Sequence, residues 1–505
     1  MAKIGFIGEA YTSRSPNVAA CRTVNLFPEV DNTGSSKSVV SLHGRPGLDL
    51  FSYLTIYPMR GQYSASNGVL YAVAGGKFYS VAGDGTETEK GTLQTSAGRV
   101  SFADNGSEVL VVDGTTGYIF NIGGDTFTAI ADADFPTTPD MCTFIDGYFI
   151  VNKRGTGTFY ISALYDGTAW DALDVATAEA HPDNILAVAN DHRELWLFGD
   201  FSTEVWVNTG NASFPFERIN GAVIEEGIAA RWSVAQLDNS LFWLGKNKNG
   251  QGRVVRANGY QPQVISTRAI EEAIAGYSDI SDAWACALIW HGHAWYVLSF
   301  PTADATWVYD ATTGMWHEWS SRNAIGEFKR FIGNCYCFAY GKHLFGDYED
   351  GDIYAFNSGT YTDNGEPIVR TRRTQHLSGD MKNLFMSRLQ VDMEMGIGDS
   401  NYSSDTLIAY LADGSEIADG SILAGGEFAP GGSVNPQAML RWSDDGGHIF
   451  GNEHWVTLGK QGEYKKRAVW NRLGRSRDRV YELNITDPVK VTLIDAHAEI
   501  TGGRH

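Results

Sequence analysis

Short apolar strands recur along the middle of the chain at a nearly regular spacing. Six of the seven follow a turn-forming pair such as Asn67-Gly68 or Asp146-Gly147, which supplies the positive φ angles of tight hairpins. A second, aromatic strand follows each one. Successive starts are separated by 39, 40, 46, 46, 54 and 49 residues. The strands begin at Gly68, Ser107, Gly147, Arg193, Asn239, His293 and Lys342.

Repeats of this length are typical of propeller blades, which are four-stranded antiparallel sheets packed around a ring. One blade cannot bury both of its faces, whereas a closed ring of blades can. We therefore predict an all-β chain with a β-propeller of six to eight blades over residues 58–361, seven repeats being visible. The longest interval contains residues 266–283, which predict a short inserted helix capped by Ser266 or Thr267.

The two flanks do not follow the repeat. Residues 1–57 predict an extended N-terminal arm on the surface. Residues 362–505 predict a C-terminal antiparallel β-sandwich-like domain, with a glycine-rich loop at 419–434. Its strands are predicted to begin at Arg388, Thr406, Ala438, His454, Lys466, Arg479 and Lys490.

Composition and charge fit a strand-rich chain and argue against some functions. Aromatic residues make up 12% of the chain, and 57 glycines favour tight turns. The formal net charge of −21 argues against a protein that reads or coats DNA, but an acidic surface would let a duplex slide past. No secretory signal and no membrane span is expected. The scattered cysteines predict reduced, buried thiols: Cys21, Cys142, Cys286, Cys335 and Cys337.

Catalytic and metal-binding motifs are scarce, so we expect no enzymatic activity, no cofactor and no metal site. No nucleophile elbow, zinc-protease motif or phosphate-binding glycine loop occurs. His291 and His293 straddle a turn without a ligand set around them. The acidic run 347–352 lacks the ligand spacing of a calcium loop and predicts a tight blade turn.

Both flanks resemble a known family. The opening run Arg22-Thr-Val-Asn-Leu-Phe-Pro-Glu29 followed by Gly44-Arg-Pro-Gly-Leu48 is similar to the start of the tail accessory, or packaged-DNA stabilisation, proteins of short-tailed phages of the Salmonella-podovirus type. The segments 441–447, 458–464, 470–483 and 486–489 are similar to the end of the same family.

The resemblance implies a structural part of a phage tail, located in the virion and assembled in the cytoplasm of the bacterial host. It implies a hub or nozzle ring, of six copies, below the portal and its adaptor. Such a ring continues the DNA channel, retains packaged DNA, and binds tailspikes or fibres and a needle or plug. Double-stranded DNA would pass without sequence-specific binding, and no membrane insertion is expected.

One short motif near the C-terminus predicts a structural hairpin. Ser443, Asp445, Gly447 and Phe450 have the spacing of the Asp-box hairpin of sialidases. In that hairpin the carboxylate accepts hydrogen bonds from backbone amides of the turn, and the aromatic ring packs beneath. Several such boxes would be needed for a sialidase, and no second copy is evident here.

A basic segment interrupts the acidic chain between residues 460 and 479. Only Glu463 and Asp478 oppose its cations. It is a candidate for docking an acidic neighbouring subunit, for a solvated strand face with internal ion pairs, or for contact with DNA. Arg370, Arg372 and Arg373 form a smaller group, interpreted as a solvated linker. The candidate patch consists of Lys465, Lys466, Arg467, Arg472, Arg475, Arg477 and Arg479.

Two other functions remain open at this point. A propeller glycosidase or lyase acting on host polysaccharide would need a carboxylate cluster at the central funnel. A glycan-binding adhesin at a fibre tip would be a monomer or trimer with affinity for sugars.

Overall fold

The chain folds into two compact units built almost wholly from strands. The computed structural model describes residues 1–250, 252–323, 326–379, 382–396 and 435–503. The propeller unit comprises residues 49–314 and 320–356. The sandwich unit comprises residues 1–48 and 315–319 and the described part of 357–505. The strand predicted from Thr406 and the loop predicted at 419–434 lie outside the described residues.

The first strands of the chain belong to the sandwich unit. They are short, and loops of seven to nine residues separate all of them except β3 and β4. In chain order they are β1 (Ala2–Lys3), β2 (Tyr11–Thr12), β3 (Ala20–Val24), β4 (Leu26–Val30) and β5 (Val40–Gly44).

The propeller unit follows as a series of antiparallel sheets. The strand β6 (Gly47–Tyr53) leads into it. The first sheet contains β7 (Met59–Ser64), β8 (Leu70–Ala74), β9 (Lys77–Val81) and β10 (Glu87–Thr92). The second contains β11 (Ser101–Asp104), β12 (Glu108–Val112), β13 (Gly117–Asn121) and β14 (Thr126–Ala129). The third sheet contains β15 (Pro139–Ile145), β16 (Tyr148–Lys153), β17 (Thr158–Ala163) and β18 (Asp166–Thr177). The fourth contains β19 (Ile185–Asp191), β20 (Glu194–Gly199), β21 (Thr203–Asn208) and β22 (Phe216–Ile224).

The second half of the propeller unit contains the inserted helix. The fifth sheet contains β23 (Gly227–Ile228), β24 (Ala235–Leu237), β25 (Ser240–Lys246), β26 (Arg253–Asn258) and β27 (Gln261–Val264). Helix α1 (Arg268–Ala275) follows, and Thr267 caps it by accepting a hydrogen bond from the Ile270 amide. The later strands are β28 (Trp284–Trp290), β29 (His293–Phe300), β30 (Ala305–Asp310), β31 (Met315–Glu318, in the sandwich unit), β32 (Ser320–Arg322), β33 (Phe328–Arg330), β34 (Gly333–Ala339), β35 (Lys342–Asp347) and β36 (Asp352–Asn357).

The last sheet meets the first, which closes the propeller. Its strand order is β34-β35-β36-β6, so a strand that precedes the first sheet in sequence completes the last one. The Asn334 side chain donates a 2.7 Å hydrogen bond to the Met59 carbonyl, and Gln62 donates one of 2.6 Å to the Leu344 carbonyl. Strands of both sheets share one hydrophobic core, and this shared core protects the two edges.

Each of the seven predicted repeats lies on a different sheet of this unit. The predicted starts fall at or just before β8, β12, β16, β20, β25, β29 and β35. Several of the turns have the predicted geometry, since Asp146 and Gly147 have φ angles of 50° and 95°. The predicted all-β fold, a propeller followed by a C-terminal sandwich, is confirmed.

The sandwich unit is completed by the C-terminal strands. These are β37 (Thr362–Asp363), β38 (Glu366–Pro367), β39 (Arg370–Arg373), β40 (Leu377–Ser378), β41 (Leu384–Met393), β42 (Gln437–Ser443), β43 (His454–Thr457), β44 (Ala468–Asn471), β45 (Arg475–Ser476), β46 (Asp478–Ile485) and β47 (Thr492–Gly502). One sheet has the order β4-β5-β47-β41-β44, and the other the order β31-β3-β39-β46-β42-β43. The core of the sandwich unit buries side chains from both sheets, among them Leu389, Ala498, Leu440 and Leu483.

The N-terminal segment differs from the surface arm that we predicted. Strands β1, β4 and β5 belong to one sheet of the sandwich unit, and β2 and β3 belong to the other. Ile4, Phe6, Leu26 and Leu42 are buried in its core, and this apolar burial explains why the segment is integrated. The compact units therefore divide near residues 48 and 356, whereas the sequence placed its boundaries at 57 and 361.

Candidate subunit-docking site

The two N-terminal runs, 22–29 and 44–48, build a buried polar network in the sandwich unit. Arg45 is fully buried, and its guanidinium forms a two-point ion pair with Asp363. Its Nε donates a 2.8 Å hydrogen bond to Asn25, which has a φ of 54° and donates in turn to the Val369 carbonyl. Arg22 pairs with Glu318 at 2.8 Å. The runs that carry the family resemblance therefore hold distant chain segments together.

The group at 370–373 is not a solvated linker, and this interpretation was wrong. Arg370 and Arg372 are 1% and 2% exposed on β39, inside the sandwich unit. Burial lowers the pKa of each guanidinium to about 10. Arg372 donates to the Phe6 and Glu9 carbonyls and so anchors the N-terminal segment. The sequence did not reveal this role because the acceptors lie more than 360 residues away.

A second buried network centres on Glu482. Its carboxylate receives the Arg373 and Arg441 guanidiniums at 2.7 Å and 2.5 Å. Burial by itself would raise the pKa of Glu482, but the two cations outweigh it and hold the pKa below its ordinary value. Phe450 lies under both arginines, at 4.6 Å and 5.3 Å from its ring centroid to their guanidinium carbons.

The Asp-box-like segment is a tight turn between β42 and β43. The Asp445 carboxylate accepts hydrogen bonds from the amides of His448 and Ile449 and from the Ser443 hydroxyl. The Ser443 oxygen also accepts from the Gly447 amide at 2.9 Å, and Gly447 has a φ of 90°. These bonds lower the pKa of Asp445. The side-chain oxygens of Ser443 and Asp445 thus accept hydrogen bonds within the turn itself.

Most of the candidate basic patch is exposed and unpaired. Lys466 is half-buried and pairs with Glu463 at 3.3 Å. Asp478 does not neutralise the patch, because its carboxylate faces His376 at 2.9 Å. Five cations are exposed and form no ion pair with any residue in the described ranges: Lys465, Arg467, Arg472, Arg475 and Arg477, which we call the basic edge.

Arg479 does not belong to this exposed set. It is 1% exposed and pairs with Asp444 through two nitrogens, at 2.6 Å and 2.7 Å. Its guanidinium also lies 5.0 Å from the Trp442 ring. Residues 479–485 of β46 are all buried, so Arg479 lies in the interior, and a count of charges along the sequence could not predict this.

The basic edge lies along one side of a sheet. Strands β44 and β45 both pair with β41, and β44 ends the strand order. Lys465, Lys466 and Arg467 line a cleft of about 490 Å³, together with Lys37 and His497. Lys37 is already paired with Asp392. The sequence missed Lys37 and His497 because long-range strand pairing alone brings them here.

Other sites considered from the sequence are separate from this one. His293 is buried against Asp310 at 2.7 Å and belongs to the propeller unit. Four of the cysteine thiols are buried, and burial raises the pKa of each. Among the described residues, no three His, Cys, Asp or Glu side chains are grouped so that they could bind a metal ion. No described helix is long and apolar enough to cross a membrane.

Comparison with known protein families tests the family resemblance that the N-terminal and C-terminal runs suggested. A family model described as the β-propeller of bacteriophage P22 Gp10 matches residues 4–361. The chain belongs to the bacteriophage P22 Gp10 family. A second model, the β-sandwich of the same Gp10, matches residues 425–501. The predicted family resemblance is therefore confirmed.

One curated member of the Gp10 family is the tail hub protein gp10 of Salmonella phage P22. It is 22% identical to this chain over 458 residues, which cover 86% of this chain and 87% of that protein. Among solved structures, the WD40 β-propeller domain of Doa1 covers 61% of this chain at 13% identity with a TM-score of 0.38, and 97% of that domain is matched. YCF48 bound to a D1 peptide covers 62% at 14% identity with a TM-score of 0.39, again with 97% of that chain matched.

Proposed function

We propose that this chain is a hub protein of a short phage tail and has a structural role. Its copies form a closed ring of about six below the portal and adaptor, as cyclic symmetry allows. The ring continues the DNA channel, retains packaged DNA and binds tailspikes or fibres and a plug. Membership of the Gp10 family, whose curated P22 member is a tail hub protein, supports this function.

The basic edge is the observation that carries the ring proposal. Five cations that form no ion pair with any described residue lie on one sheet edge of a chain whose formal charge is −21. An acidic neighbour would neutralise them, and such complementarity directs which surfaces meet. The remaining acidity favours passage of a duplex, since like charge keeps phosphate from binding.

The ring can be tested by charge reversal at the basic edge. We expect the full-length protein to form one discrete closed species, alone or with its neighbouring tail proteins, by analytical ultracentrifugation. Lys465→Glu combined with Arg467→Glu should weaken assembly about tenfold or more. Lys248→Glu combined with Arg268→Glu makes the same change of charge on exposed residues of the propeller unit and should assemble normally.

Two results would contradict the proposal. One is a wild-type chain that stays monomeric even with all of its neighbouring tail proteins. The other is equal assembly of the basic-edge variant and the control, which would remove the basic edge from the contact between copies.

A further inference from the structure

The third sheet of the propeller unit carries an acidic surface that no residue described by the structure neutralises. Its carboxylates form no ion pair with any described residue, although several accept hydrogen bonds from backbone amides. Asp134 and Asp171 are exposed and the others are half-buried. We call this set the acidic edge: Asp132, Asp134, Asp166, Asp171 and Asp174.

The carboxylates of the acidic edge lie on or beside β18. Asp166, Asp171 and Asp174 lie on this strand, which is the outermost strand of its sheet. Asp132 joins them because its carboxylate accepts a 3.0 Å hydrogen bond from the Trp170 amide, and it also accepts one from the Asp134 amide. An outermost strand has one side without a partner strand and is therefore open to a neighbouring molecule.

Two carboxylates of the acidic edge, those of Asp171 and Asp174, repel each other. Partial burial raises the pKa of Asp174, and the nearby negative charge of Asp171 raises it further. A cation from another molecule would relieve this repulsion, because opposite charges within a few ångströms favour the ionised carboxylate.

Exposed apolar side chains accompany these acids. Leu164, Tyr165 and Leu173 are 57%, 61% and 83% exposed. Leu173 is held outward by a turn in which its amide donates to Asp171 at 2.8 Å. A charged rim with a few large apolar residues is the composition of a protein–protein contact.

The basic edge of the sandwich unit has the complementary composition. It has five cations against the five carboxylates of the acidic edge. Two exposed aromatic residues accompany it, since Tyr464 is 71% exposed and Phe385, which is paired with Arg475 in the sheet, is 47% exposed. Both surfaces follow the last strand of a sheet.

We propose that the acidic edge of one copy binds the basic edge of the next copy. This inference rests on the proposed ring and names the two surfaces that form its contact. The two surfaces differ, so the contact is heterologous, and a heterologous contact generates a ring when the rotation that it imposes closes. The partner is therefore a second copy of this chain.

Zero-length crosslinking tests which surfaces meet. The full-length protein is mixed from isotope-labelled and unlabelled halves, concentrated, and treated with a carbodiimide that joins amines to carboxylates. We expect an amide bond between Lys465 or Lys466 and Asp171 or Asp174, in peptides that combine both labels. The pair Lys77–Glu89, 2.6 Å apart within one copy, is the internal control and should crosslink with a single label.

Crosslinking that recovers the control pair but no contact between the two edges would overturn the inference. The same holds if the edges crosslink only within one copy. Neither result depends on how far the ring assembles, because crosslinking also traps transient contacts at high concentration.

Charge exchange separates this inference from the proposed ring. Asp171→Lys with Asp174→Lys should weaken assembly about tenfold or more, and mixing it with the Lys465→Glu, Arg467→Glu variant should restore mixed contacts. The control is Glu217→Lys with Glu349→Lys, which changes two exposed acids of the same unit that form no ion pair with described residues.

A ring that tolerates reversal of the acidic edge would refute the edge pairing and leave the ring proposal standing. A basic-edge variant that assembles normally but loses affinity for duplex DNA would assign the basic edge to nucleic acid, refute the edge pairing and leave the ring itself standing.

Discussion

Removing the Arg45 side chain should destabilise the sandwich unit strongly. In Arg45→Ala, the Asp363 carboxylate, which is 9% exposed in the wild-type chain, loses both nitrogens that pair with it. The Asn25 side-chain oxygen loses its donor as well. The Arg45 side chain is fully inaccessible to solvent, so all of these bonds are buried.

The size of the effect follows from leaving a buried charge unpaired. Loss of one partner of a buried ion pair costs about 3–5 kcal/mol. For a unit of this size, that corresponds to a fall of about 10 °C in the midpoint of its thermal transition. Because the propeller unit does not contain these residues, we expect its own transition to stay unchanged.

Differential scanning calorimetry and amide hydrogen exchange of the full-length protein can measure this. Faster exchange should appear in β39, β46 and the N-terminal strands, and not in the propeller sheets. Arg477→Ala removes an exposed arginine that forms no ion pair with described residues, and it should change stability by less than about 0.5 kcal/mol. A loss below about 1 kcal/mol for Arg45→Ala would refute the view that this arginine holds the sandwich unit together.

Three further substitutions test the same unit by urea unfolding and amide exchange. Glu482→Gln should cost about 3 kcal/mol at pH 7. Because the folded-state pKa of Glu482 is lowered, the stability that its carboxylate contributes is present above the unfolded pKa of about 4.3 and is lost as the pH falls through the folded value. Glu482→Gln lacks this contribution, so it should lose less stability on acidification than Glu499→Gln, an exposed control that keeps Glu482. Asp445→Ala should speed amide exchange in its turn, and unchanged exchange would count against the hairpin role. Gly47→Ala places a methyl group 2.4 Å from a backbone oxygen and should cost at least about 2 kcal/mol, whereas Gly502→Ala meets nothing within 4 Å and should be tolerated.

The propeller could be predicted from the sequence because its signals are local. A hairpin is specified by its own turn, such as Asp146-Gly147, and by strands a few residues apart. The same reasoning succeeds for Thr267, which caps a helix within three residues of itself. Repetition of these local signals then predicts a ring.

The sandwich unit was harder to predict because its contacts join distant parts of the chain. The role of Arg372 depends on carbonyls of residues 6 and 9, and that of Arg22 on Glu318. No local pattern distinguishes such an arginine from an exposed one. For the same reason a count of charges placed buried Arg479 with the exposed basic edge.

An electron cryomicroscopy reconstruction of the assembled tail tests the central claim most directly. We predict a closed cyclic ring of this chain in which Lys465 and Arg467 lie within about 4 Å of carboxylates from the next copy. Copies that form no closed ring, or a ring in which these two side chains face solvent or nucleic acid, would contradict it.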